Sequence, residues 1–308
     1  MQGTEENYCQ TVWGRELSTA ETVQACDAYA EANGLQGKVR FVLSPETLVT
    51  TCVGSKVNLV PREGYYREIR LASLLDHEVG THFLRSHNHK QCFASKLDPK
   101  KSRWSHKSGW LLATEEGLAT LNTNRMYADA RLWVPALHYH AVLLASRLPW
   151  SGLWRELSTF LGTSDHERLW TTCLRVKRGL DDTSKPGCYA KDQSNFCGAL
   201  KLLRRRRSID FALLHCVRVS IEDFGKALPD ARRALATGKA LLPAFVVGDE
   251  ALEEYHKALD RMAAANGVDA LDDAAAAAAP STATSKPAEP KVAAARPPLE
   301  SNAAANVD

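Results

Sequence analysis

The sequence predicts an α+β domain, predominantly helical, with one small sheet. Three observations carry that expectation. Two short alternating segments, Lys38–Leu43 and Lys56–Val60, come early in the chain, and alternation is the mark of a strand with one face buried. Capped segments with helical spacing fill most of the chain beyond them. The last stretch, 266–308, holds an alanine run at Ala274–Ala279 and five prolines among Ser, Thr and Ala. It lacks the large apolar side chains that offset ordering entropy, so a disordered C-terminal tail is expected. The division predicted is a frayed N-terminus over 1–17, a folded domain over 18–265 and the tail over 266–308.

Taken in order, Ser18-Thr19-Ala20-Glu21 reads as a capping box that opens a helix to Asn33, stopped at Gly34. The two strands come next. A helix is expected from Tyr66 to Arg85, with Ile69, Leu71, Leu74, Leu75 and Val79 on its apolar face. The polar run Asn88–Ser108 reads as a loop. A second long helix starts near Leu111 and kinks or ends before Pro135. Ser164-Asp165-His166-Glu167 reads as another capping box, for a helix to Arg178. Gly179–Ala190 is a loop, and helices are expected at Ser194–Arg205, Ile221–Ala227, Asp230–Ala236 and Asp249–Ala265.

Composition excludes several classes. The 308 residues are 44% apolar and 24% charged, enough for a sizeable core. No apolar run approaches the length of a membrane span; the longest, Ala240–Val247, contains Pro243. The first ten residues do not read as a secretory signal. Eight cysteines lie without a C-x-x-C pair, which excludes a zinc ribbon and argues against a disulfide scaffold. A reduced, cytoplasmic chain is expected. The net charge of +3 divides into +6 on the body and −3 from Ala263 onward. That favours an acidic partner and does not call for nucleic acid or a membrane surface.

The chemistry concentrates in Leu75-Asp76-His77-Glu78-Val79-Gly80-Thr81-His82. Two neutral imidazoles beside a glutamate can hold zinc and a water, with the glutamate as base. The familiar zinc helix spaces its histidines four apart; here they are five apart. Five residues rotate about 500°, which leaves the imidazoles roughly 140° apart on a regular helix. They converge only if the helix carries a π-bulge, and Gly80 would tolerate one. A catalytic zinc needs a third protein ligand. Glu115 or Glu116, at the start of the next long helix, can supply it; the plain reading is that both complement the helix dipole.

HEVGTH followed by EEGLA some thirty residues on resembles the microtubule-associated tyrosine carboxypeptidases and the bacterial flavohaemoglobin expression-modulating QEGLA-motif proteins. Phe83-Leu84-Arg85 with Asn88 and Gln91, Arg178-Gly179-Leu180 with Gly187 and Lys191-Asp192, and Leu241–Phe245 with Tyr255 extend the likeness from about Thr19 to Ala265. The stretch Gln193–Phe196 departs from the family pattern, and little precedes Thr19. The resemblance implies a zincin-like metallopeptidase domain with one zinc on His77, His82 and Glu116. It implies Glu78 as general base and gives Glu115 no ligand role. The implied reaction is hydrolysis of a C-terminal peptide bond. For the eukaryotic members it is removal of the terminal tyrosine of α-tubulin, which makes the acidic microtubule tail the expected partner and the cytoplasm, on microtubules, the expected place. The alternatives are a metallopeptidase of other specificity, or an idle metal-stabilised module that binds an acidic partner.

A carboxypeptidase must hold the substrate's α-carboxylate, and Arg178 and Lys191 are the candidates. His87 and His89 read as exposed loop residues, and His138 and His140 as partly buried helix residues. Lys201 with Arg204–Arg207 reads as a solvated helix end, with docking of an acidic tail or a nuclear signal as the functional readings. Cys92 has no supporting hydrolase motif. Trp104, Trp110, Trp133, Trp150, Trp154 and Trp170 read as core anchors.

Overall fold

A computed structural model describes residues 10–47, 49–93, 109–161 and 165–269. Helix α1 (Thr19–Ala32) starts at the expected capping box: Ser18 accepts from the Glu21 backbone and the Glu21 carboxylate accepts from Ser18. Beyond it lie three strands, β1 (Arg40–Leu43), β2 (Thr51–Val53) and β3 (Lys56–Leu59). Their order is β1-β3-β2, with β1 parallel and β2 antiparallel to the central β3. Gly54, at φ +64°, makes the tight β2–β3 turn. Strand β2 was not foreseen; three residues are too few to show a period.

The next segment is three elements on one axis: α2 (Glu68–His77), a π-helical turn (Glu78–Phe83) and α3 (Leu84–Phe93). The π-turn falls where the histidine spacing requires it. Helix α3 corrects the expected loop at Asn88. Asn88 faces inward on it: its side chain donates to the carbonyls of His215 and Leu241 and accepts from the Leu241 N–H. His89 is buried on this helix and not exposed. The remaining helices are α4 (Gly109–Asn124), α5 (Trp133–Ala145), α6 (Trp150–Leu161), α7 (His166–Lys177), α8 (Gln193–Arg204), α9 (Phe211–Cys216), α10 (Ile221–Ala236) and α11 (Asp249–Ala265). Asp165 caps α7 through the Arg168 N–H, and Ser164 of the expected capping box lies outside the described residues. Helix α10 runs unbroken through Pro229, where two helices were expected. Its buried face, Ile221, Phe224, Ala227, Ala231 and Ala234, is continuous across the proline, and that burial offsets an interior proline's cost of about 3 kcal/mol.

Three buried clusters form the core. One joins α4 to α8–α11 around Leu118, Leu202, Phe211 and Leu259. One lies among α1, the sheet and α2 around Leu35, Val57, Leu71 and Val79. The third joins α5–α7 around Ala141, Leu153 and Val176. Helices α4 and α8 meet backbone to backbone: a Cβ on Gly117 would lie 2.3 Å from the Gly198 carbonyl carbon, and one on Gly198 would lie 1.8 Å from the Ala113 oxygen. Only glycine fits at that crossing. In the third cluster the buried Lys177 ammonium sits among four carbonyl oxygens, of Ala145, Leu148, Lys185 and Gly187, at 2.7–3.2 Å. It pins the loop after α7, expected at Gly179–Ala190, onto the α5–α6 corner.

Both ends of the described body depart from expectation. Residues 10–17 are tied down rather than frayed: Leu17 is buried, its N–H donates to the Tyr66 carbonyl, and Glu16 bridges Arg67. At the other end Asn266 accepts from the Leu132 N–H and donates to the Ala130 carbonyl, and Val268 packs on the first cluster. The Ala/Pro-rich stretch beyond 269 lies outside the described residues, as do Trp104 and the side chain of Cys92. Trp110, Trp133 and Trp170 are exposed at 41–52%, so they are not core anchors. Arg206 is buried, ion-paired to Asp260 and bonded to the Leu203 carbonyl, which removes it from a solvated basic run. No helix among the described residues is long and apolar enough to cross a membrane.

Candidate metal centre and its cleft

The wide turn does what a regular helix cannot. With the π-turn between them, His77 and His82 come together, ring centroids 4.9 Å apart and nearly perpendicular. Gly80 lets the turn pack closely, since a Cβ there would lie 2.8 Å from the Tyr29 hydroxyl and 3.1 Å from Phe245. Glu116 reaches the pair from α4. One atom each of His77, His82 and Glu116 lies within 4.8 Å of the others; His82 Nε2 is 3.9 Å from Glu116 Oε2. Ligands about 2.1 Å from a shared tetrahedral zinc lie about 3.4 Å apart, so a small side-chain adjustment closes the set.

The outer atoms of both imidazoles are committed elsewhere. Thr123 donates its single hydroxyl hydrogen to the Ala119 carbonyl, so it accepts from His77 Nδ1–H at 2.9 Å. Glu115 Oε1 accepts from His82 Nδ1–H at 3.3 Å. Each bond fixes the tautomer that leaves an Nε2 lone pair for the metal position. Burial, then the neighbouring His82, pushes His77 down to about 3, so it is neutral, as a ligand must be. Burial lowers His82 too, but Glu115, Glu116 and Glu78 raise it above the usual value; a bound cation would oppose that. This donor chemistry fits a divalent metal ion.

Glu115 is therefore turned away from the ligand atoms. Arg85, fully buried, donates to Glu115 Oε2 and to the carbonyls of Leu214, Val217 and Val219. Burial alone would raise Glu115; Arg85, His82 and Arg218 overcome it and hold the carboxyl at about 2. Of the two glutamates, Glu116 is the one whose carboxylate groups with both histidines. Glu78, one residue after the first histidine, faces the same cleft. Its Oε2 accepts from the Cys52 backbone N–H at 3.0 Å, so the edge strand β2 positions it. Burial raises its pKa, against the opposing pull of His82 and that N–H, which suits a carboxylate that takes up a proton.

The cleft in front has a volume of about 1500 Å³. Lys191 lines it, Nζ 3.2 Å from Glu116 Oε1, and Asn195 donates to Glu116 Oε2 at 3.4 Å. Arg178 lines the cleft but is spent on Asp192, at 2.9 and 3.3 Å, and stacks on Tyr189. The structure thus sets Lys191 beside the His/His/Glu group and gives Arg178 a holding role on its loop. Thr123, Arg85, Asn195 and the Cys52 N–H were missed from sequence. Thr123 lies seven residues after Glu116, two turns along the same face, and that spacing was the available signal.

No family model matches the chain. Among curated proteins it is 31% identical over 271 residues to microtubule-associated tyrosine carboxypeptidase 1 of Rattus norvegicus, covering 87% of this chain and 55% of that protein. The same-named protein of Homo sapiens is 30% identical over 278 residues, at 87% and 55% coverage, and that of Mus musculus is 30% identical over 278 residues, at 87% and 56%. The chain spans about half the length of these curated relatives. Over most of its length, and across the His/Glu constellation, the chain is homologous to proteins named microtubule-associated tyrosine carboxypeptidases.

Proposed function

We propose that this chain is a zinc-dependent carboxypeptidase that removes a C-terminal tyrosine, with the acidic tail of α-tubulin as substrate. The observation that carries this reading is the convergence of His77, His82 and Glu116, both imidazoles held in the ligating tautomer, with Glu78 facing the same space. The named activity of the relatives supports it. Bound zinc supplies a Lewis acid that acidifies water and polarises a carbonyl. Glu78 accepts the proton of the attacking water and returns it to the leaving amine. The β2 N–H keeps its second oxygen oriented. Lys191, released from Glu116 when that carboxylate binds metal, pairs with the α-carboxylate of the departing residue, which would otherwise lose several kcal/mol of solvation.

The test combines metal analysis with matched peptides. Purified protein is expected to hold about one zinc per chain. His77→Ala, His82→Ala and Glu116→Ala should lose it. Glu78→Gln should keep the zinc and lose about 10²–10⁴-fold in turnover. A Tyr-ended acidic peptide should be cleaved as the free acid and not as the amide, with Lys191→Ala raising KM. Cleavage of the amide or of internal bonds would leave a metallopeptidase of another kind. Zinc bound without hydrolysis of any tailed peptide would favour the idle binding module.

A further inference from the structure

Thr81 stands between the histidines, inside the π-turn. Its Oγ1 donates to the carbonyl of Asp76 at 2.8 Å, five residues back, the span of a π-helical hydrogen bond. With its one hydrogen spent, the hydroxyl accepts from Asn122 Nδ2 at 2.7 Å. Asn122's other amide hydrogen points to His215 Nε2 at 3.1 Å. His215 can accept there because its Nδ1–H goes to the Phe211 carbonyl at 2.7 Å. Asn122 Oδ1 in turn accepts from the Tyr255 hydroxyl at 2.7 Å. Every hydrogen in this chain has one consistent direction, and Thr81, Asn122, His215 and Tyr255 are all buried. None of the four is in the His77/His82/Glu116 group.

We infer that Thr81, Asn122 and Tyr255 are positioning residues that set metal affinity by holding the wide turn. The alternative to the π-turn is a regular helix, on which the imidazoles diverge by roughly 140°. The Thr81 hydroxyl bridges the span that only the wide turn has. Asn122 fixes that hydroxyl from α4, the helix that also carries Glu116. Tyr255 fixes Asn122 from α11, so the last helix of the body is coupled to the first two ligands through four side-chain and backbone groups. The inference rests on the metal reading of the site.

Five proteins test it: wild type, Thr81→Val, Thr81→Ser, Tyr255→Phe and the Thr81→Val/Tyr255→Phe double variant, which closes a cycle. Zinc affinity is measured by competition with a chromophoric chelator, and the melting temperature of the metal-free proteins separately. Valine keeps the shape and removes only the hydroxyl, so affinity should fall roughly 10- to 100-fold, the range for groups that orient metal ligands. Serine, which keeps the hydroxyl, should stay within about threefold of wild type. Tyr255→Phe should weaken binding by itself and add little in the Thr81→Val background, because the two act through one chain. If Thr81→Val does not fold, Tyr255→Phe, whose ring packing against Phe245 and Phe211 is retained, decides the matter alone. Variants that melt earlier yet bind zinc as wild type does would overturn the inference and leave the metal reading standing. A wild-type protein that binds no zinc would overturn both.

Discussion

The helix that carries the histidines and the helix that carries the glutamates reach the same centre by opposite means. The α2–π–α3 axis must widen, and the widening is held by polar groups: Thr81 on the Asp76 carbonyl, and Tyr29 and Arg125 on the Asp76 carboxylate at 2.9 and 2.7 Å. Helix α4 keeps its regular winding and is placed by contact and charge. Gly117 lets it touch α8 directly, and the Glu115–Arg85 pair locks its first turns to α3. A ligand set built this way should fail in two modes: loss of rigid docking on the glutamate side shows first in stability, and loss of hydrogen bonds on the histidine side shows first in metal affinity.

The largest effect should come from Glu115→Ala. It strands a guanidinium that has no exposure, and breaking a buried ion pair from one side costs about 3–5 kcal/mol; urea denaturation measures it. Glu115→Gln, which keeps an acceptor for His82, should recover part of that loss. Gly198→Ala comes next. Its Cβ meets a backbone oxygen that cannot rotate away, so overpacking at the upper end of the usual range, about 3 kcal/mol, is expected. Should either variant lose zinc affinity while keeping wild-type stability, the division between the helices is wrong.

Gly80→Ala sharpens the other side. The new methyl presses on the Tyr29 hydroxyl and Phe245, while alanine gains about 1 kcal/mol in helix propensity. The two nearly cancel in stability, so the expected signature is weaker zinc binding with a melting temperature close to wild type. The last effect, absent at neutral pH, is a pH dependence on the cleft wall, away from both helices. Burial, then Arg175 and Arg178 against the opposing Asp192, pushes His138 down to about 4 from an ordinary 6.5. The unfolded chain takes up that proton first, so the contribution is complete above about pH 6.5 and is lost as pH falls towards 4. His138→Gln should flatten that part of the stability profile, read from melting temperatures across the window.

Legibility tracked the range of the forces involved. Local signals read well: the Ser18 capping box, the ends of α11, and a bulge demanded by histidines five apart. Features that depend on partners far along the chain did not. Asn88 looks like a loop residue until the His215 and Leu241 carbonyls are placed beside it, more than 120 positions away. Arg206 looks solvated until Asp260 is opposite. Pro229 looks like a break until the apolar face on both sides finds one surface to cover. At the site, residue type and spacing pointed to the His/His/Glu group, but Glu116, which joins it, and Glu115, which does not, differ only in which of two adjacent side chains meets Arg85. A periodicity cannot encode that.

The carbonyl cage around Lys177 has a use for the chemist. Amines acylate at rates set by how often they meet reagent as free base, and this one is 1% exposed with its hydrogens engaged. Its labelling must wait for the loop after α7 to lift. The time course of Lys177 acylation, followed by peptide mass spectrometry against an exposed amine such as Lys185, is therefore a clock for that loop. Because Lys191 is carried at the loop's far end, the same clock should slow when a chain terminus occupies the cleft.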